Sequence, residues 1–189
     1  MAYINDTAFE VKVSNHEFDS IANITGVFYG TSEAEACSAG FLCVRDERLE
    51  NEGYGSTVLN TNSWKMVAAS DGSGVLYACN PFDVNMIADP VTGAMYKVGS
   101  NTLGIPEPAG YPCTFTEIKF NGVNVYRFGI GNVSGTIGAS DTFFSVADGM
   151  LSPASSAPAT PYFELRGTGN FTQGAYNGFS YIDVVAAKI

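Results

Sequence analysis

The chain has 189 residues, of which nine are basic and nineteen acidic, giving a formal net charge of −10; 46% of residues are hydrophobic and 13% aromatic. This balance is globular rather than disordered, and no apolar run approaches the roughly 20 residues that span a bilayer. The few Lys and Arg do not cluster, so nucleic acid is set aside as a partner, since phosphate binding depends on grouped cations.

Met1 to Asp6 lacks a basic region followed by an apolar core, so the expectation is a chain without a secretory signal, made in a bacterial cytoplasm. Residues 1–7 read as a flexible N-terminal arm. Phe9, Val11 and Val13 then alternate with Ala8, Glu10 and Lys12, which predicts a strand with one apolar face. Val27 to Tyr29 reads as a second strand. Ser32-Glu33-Ala34-Glu35 has the form of a capping box, so a helix of at most two turns ending at Gly40 competes there with a polar loop. Phe41 to Val44 is strand-like. Arg45 and Arg48, surrounded by Asp46, Glu47, Glu50 and Glu52, read as a solvated charged loop.

Further strand-forming runs follow at Trp64 to Ala69, Val75 to Cys79 and Met95 to Val98. Asp71-Gly72-Ser73-Gly74 is placed to close a hairpin between the first two of these. Leu103 to Pro112 is a proline-rich connection. The strongest local signal is Phe120-Asn121-Gly122-Val123, because Asn-Gly tolerates the positive φ of a type I′ turn. It predicts a hairpin over Thr114 to Phe128 with Ile118, Phe120, Val123 and Val125 on the buried face. Gly129-Ile130-Gly131 resembles the start of a dinucleotide fingerprint, but the residues after it break the spacing, and it reads as a turn. Phe143 to Val146, Tyr162 to Leu165 and Phe179 to Val185 are the last predicted strands. Residues 152–161 read as a proline-rich surface loop, since proline has no N–H for a ladder. Taken together the expectation is an all-β fold over residues 1–189: one antiparallel β-sandwich or barrel of about ten short strands, with at most one short helix.

Residues with catalytic chemistry are scarce. His16 is the single histidine, so any Ser-His-Asp or Cys-His arrangement must use it, and its polar segment has no nucleophile elbow beside it. Carboxylates are plentiful, yet no spacing nominates a pair for glycoside hydrolysis. Cys37, Cys43, Cys79 and Cys113 contain no CxxC pair, and a zinc site would need nearly all four at irregular spacings. Cys43 and Cys79 sit inside strand-like runs, where a free thiol behaves as a small core residue. The expectation is four reduced thiols, no metal, no cofactor and no catalytic residue. Trp64, Tyr54, Tyr77, Tyr96, Tyr111, Tyr126, Tyr176 and Tyr181 remain as candidates for a sugar platform, or as core.

The stretches Asn62 to Ala69, Val75 to Asn80, Met95 to Gly99 and Gly178 to Ala186 resemble those of small virion structural proteins of tailed phages and prophages. That resemblance implies a non-enzymatic role in decorating or stabilising the head. It implies self-association as a trimer or other small symmetric oligomer, a capsid lattice as partner, and no nucleic acid or membrane. A carbohydrate-binding β-sandwich used in adhesion is the alternative.

Overall fold

The computed structural model describes residues 7–13, 21–49, 63–80, 87–88, 95–96, 109–172 and 178–187. The strands in chain order are β1 (Phe9–Val13), β2 (Asn23–Tyr29), β3 (Leu42–Arg48), β4 (Trp64–Ala68), β5 (Leu76–Asn80), β6 (Ile87–Ala88) and β7 (Met95–Tyr96). They continue with β8 (Cys113–Glu117), β9 (Val125–Gly129), β10 (Phe143–Ala147), β11 (Met150–Ala154), β12 (Phe163–Asn170) and β13 (Ser180–Ala186). The fold is all-β, as expected: eleven of these strands lie in two sheets, and β6 and β7 pair with each other as a short separate ribbon.

One layer is a closed five-stranded barrel in the order β2-β4-β3-β5-β8. A ring with an odd number of strands cannot alternate direction all the way round, so one neighbouring pair must be parallel. That pair is β2 and β4, with Gly26 opposite Trp64 and Phe28 opposite Met66. The other layer is an antiparallel six-stranded sheet, β1-β9-β13-β12-β10-β11.

β3 and β5 form the wall of the barrel on which the sheet packs. Leu42, Leu76 and Ala78 face a core shared with Phe9, Tyr126, Phe128, Phe144, Phe163, Ile182 and Val184 of the sheet. The alternate residues Cys43, Tyr77 and Cys79 point the other way, into the barrel, with Phe28, Met66 and Phe115. Both faces of β5 are therefore buried, which is why its sequence is a continuous apolar run rather than an alternating one.

Several expectations are corrected. The segment from Thr114 to Phe128 is not a hairpin: β8 belongs to the barrel, pairing with β2 and β5, while β9 belongs to the sheet, pairing with β1 and β13. The Asn121-Gly122 turn is real, with Gly122 at φ 75° and Asn121 Oδ1 accepting from the Val123 and Asn124 N–H groups. It carries the chain from one layer to the other. Ile118 is buried, Phe120 and Val125 are half-buried, and Val123 is 47% exposed, so the expected four-residue core stripe does not form.

The tight hairpin lies elsewhere, at Asp148-Gly149, between β10 and β11. Asp148 and Gly149 have φ of 48° and 76°, and Ala147 stands opposite Met150. These are the two consecutive left-handed residues of a type I′ turn. Likewise, Asp71 to Gly74 does not close a hairpin, because β3 lies between β4 and β5. The charged stretch from Arg45 to Arg48 is the exposed half of β3, not a loop. Around Ser32 the chain makes a turn closed by Gly30 N–H to Glu33 O and Glu35 N–H to Phe28 O, so the polar loop prevails over the helix. Ser152, Pro153 and Ala154 from the proline-rich stretch belong to β11, which is an edge strand and so tolerates a residue without an N–H.

Candidate functional site

His16, Tyr54 and Tyr176 lie outside the described residues, as does the side chain of Tyr96. The described aromatics are largely engaged in packing. Tyr126 is fully buried, and its hydroxyl accepts hydrogen bonds from the Lys119 backbone N–H and from Asn124 Nδ2. Tyr77 is buried inside the barrel. The Arg45 guanidinium lies 4.3 Å from the Trp64 ring centroid, and that of Arg127 lies 3.5 Å from the Tyr181 ring. A cation already occupies one face of each ring, leaving less of it for a sugar. Tyr111 is about half exposed.

Charged side chains form cross-strand pairs on the outer faces. Register places Glu10 opposite Arg127 and Arg127 opposite Asp183. Arg127 donates from Nε and from a terminal nitrogen to the two Asp183 oxygens at 2.7 and 2.8 Å, and Glu10 stands 3.8 Å away. On the barrel, Lys65 reaches Asp46 and Glu47 at 3.2 Å each, and those hydrogen bonds raise its pKa. These pairs tie neighbouring strands together.

The group that sequence reading did not assemble is the thiols. All four cysteines are free and buried. Cys43 comes from β3, Cys79 from β5, Cys113 from the first residue of β8, and Cys37 from the turn before β3; all four join the barrel's inner cluster. In the β5–β8 ladder Cys79 stands opposite Phe115, and Cys113 lies two residues along on the same face. Their sulfurs are 3.3 Å apart. Cys79 Sγ also donates to the Cys37 backbone O, and Cys43 Sγ to Phe41 O, both at 3.9 Å. The neighbouring Cys43 and Cys79 thiols lower the Cys37 pKa, to about 5, against the opposing effect of burial. Burial pushes Cys43 and Cys79 up, and Cys37 adds to that. The four thiols thus gather in the barrel's inner cluster, with Cys79 and Cys113 in direct sulfur contact.

Two thiolates on one tetrahedral zinc stand about 3.8 Å apart, given a Zn–S bond of about 2.3 Å. The closest sulfurs here are nearer than that, and among the described residues no three thiol, carboxylate or imidazole groups have a metal-holding arrangement. The geometry is that of neighbouring thiols. No spacing in the sequence announces it, because only the barrel pairing brings positions 37, 43, 79 and 113 together.

No family model, curated protein or solved structure matches this chain.

Proposed function

We propose that this protein is a non-enzymatic structural component of a phage virion that binds a capsid lattice as a small symmetric oligomer. The observation that carries the reading is the pairing of a closed barrel with an open six-stranded sheet whose ends are β1 and β11. A closed barrel has no edges, whereas the ends of an open sheet offer backbone groups and flanking apolar side chains to a neighbour; at β11 part of that edge is taken, since Leu151 O accepts the Ser134 N–H. Val11, on edge strand β1, faces the same side as buried Phe9 yet is 37% exposed, so apolar surface continues to the rim of the sheet. Symmetric association is the ordinary way to cover such a rim. A net charge of −10 keeps a β protein with exposed edges soluble before assembly.

The reading is tested by mixing the purified protein with shells assembled from the capsid protein encoded beside it and sedimenting the shells. Co-sedimentation is the expected result. Absence from the pellet, together with retention on a polysaccharide column, would transfer the case to the adhesion alternative.

A further inference from the structure

We infer that the thiols in the barrel are a modification site for hydroperoxides, at which Cys79 and Cys113 are oxidised to an intramolecular disulfide. The ground is geometric. Cys79 and Cys113 project from adjacent strands on the same face with sulfurs 3.3 Å apart, so closing the bond requires an approach of about 1.2 Å. Cys113 is the first residue of β8, following the turn at residues 109–110, where a strand end yields most readily. Cys113 is the more accessible of the two, 7% exposed against 0% for Cys79, so it is the one that first meets peroxide.

The steps balance without a further reagent. Cys113, as its thiolate, attacks one oxygen of hydrogen peroxide; the O–O bond breaks, Cys113 becomes a sulfenic acid, and the leaving hydroxide takes up the proton that Cys113 gave up. Cys79 Sγ then displaces the sulfenic hydroxyl, which departs as water with the Cys79 proton, and the Cys79–Cys113 bond forms. Two thiols have lost two electrons and two protons, and one peroxide has become two waters. The thiolate, not the thiol, is the nucleophile at each such step. Cys79 and Cys113 are both buried, so peroxide enters through local opening, and oxidation is slow relative to a surface thiol. One consequence rests on the virion reading: a disulfide made after release from a reducing cytoplasm would staple β5 to β8 in the finished particle. The chemistry itself does not depend on that reading, and its test is separate from capsid binding.

The experiment exposes the purified, reduced chain to hydrogen peroxide, alkylates remaining thiols under denaturing conditions, and maps peptides by mass spectrometry. The expected product is a Cys79–Cys113 linked peptide in each chain, with Cys37 and Cys43 alkylated, and four alkylated cysteines again after a dithiol reductant. Cys113→Ser is expected to abolish the link and to leave the remaining three cysteines alkylated. Four alkylatable thiols after exposure, a different linked pair, links between chains, or sulfinic and sulfonic acids without a link would each overturn it. The mapping is done on the unmutated chain, so a variant that fails to fold does not remove the test.

Discussion

Asn132 shows how much one side chain joins. Its Oδ1 accepts the Ala8 N–H at 2.9 Å and its Nδ2 donates to Ala39 O at 2.8 Å, tying the start of β1 and the turn before β3 to the short 3-10 turn Ile130–Asn132 that follows β9. Asn132→Ala leaves two buried backbone groups without partners and is expected to cost about 2–4 kcal/mol. Urea unfolding measures it, and a loss below about 0.5 kcal/mol would contradict the assigned role. The partners lie 124 and 93 positions away, which is why nothing in the local sequence marks this asparagine. The cysteines are a similar case: their burial could be read from the apolar runs around Cys43 and Cys79, but their meeting could not. The thiols also carry a pH dependence. Cys37 has a folded pKa of about 5 against an ordinary 9.0, so the unfolded chain binds more protons in that window. Its stabilising contribution is therefore full above pH 9.0 and lost as pH falls toward about 5. Cys43 and Cys79 are shifted above 9.0, so the stability they contribute is full below that pH and declines as the pH rises beyond it. In reductant, the stability difference between the native chain and Cys37→Ser is expected to shrink from neutral pH toward pH 5; a constant difference would argue against a thiolate at Cys37.

The turn between β10 and β11 fixes a joint between the layers. Gly149 donates its N–H to Ala69 O and accepts from Leu42 N–H, both at 2.8 Å. A Cβ at Gly149 would lie 2.3 Å from the Phe41 ring, at a φ of 76° that side chains rarely adopt. Gly149→Ala is expected to cost about 2–4 kcal/mol, combining backbone strain with overpacking. Gly135 has φ 89° with open space around it, so Gly135→Ala isolates the backbone part and is expected to cost about 1–2 kcal/mol. Equal losses for the two would show that Phe41 accommodates the added methyl group. These two turns also mark the limit of local reading. Asn121-Gly122 has the residues of a hairpin turn, and its flanks alternate plausibly, but β8 and β9 find better partners in different layers. Asp148-Gly149 carries an equivalent signal and does close a hairpin. Turn chemistry bends the chain, whereas strand pairing is decided by which faces can be buried together. Most strand positions were legible for that reason, while their neighbours were not. If Cys79 and Cys113 are joined, a loop of 34 residues is closed, and the chain-entropy model gives a gain of about 4 kcal/mol before strain.

At the scale of the molecule, the core between the layers draws Leu42, Leu76 and Ala78 from the barrel and Phe128, Phe144 and Ile182 from the sheet. Phe9, Phe128, Phe163 and Phe120 form a chain of ring contacts through it, with centroids 5.2 to 5.9 Å apart. Neither layer can leave without exposing that surface, so both are expected to unfold together. Trp64 fluorescence reports on the barrel and amide exchange along β13 on the sheet; coincident urea midpoints are expected, and separated ones would contradict a shared core. The all-β class was legible in the sequence, but the division into barrel and sheet was not. β5 and the start of β3 bury both faces, and an apolar run does not say which of its faces meets which layer. An open sheet beside a closed barrel, in a strongly acidic chain, is what we read as a body made to join a lattice. The most direct measurement of that claim is the quantity of protein retained on sedimented capsid shells as its concentration is raised. A plateau at a fixed ratio to shell subunits is expected, since lattice symmetry sets the number of sites. Uptake that rises without saturating, or none at all, would contradict it.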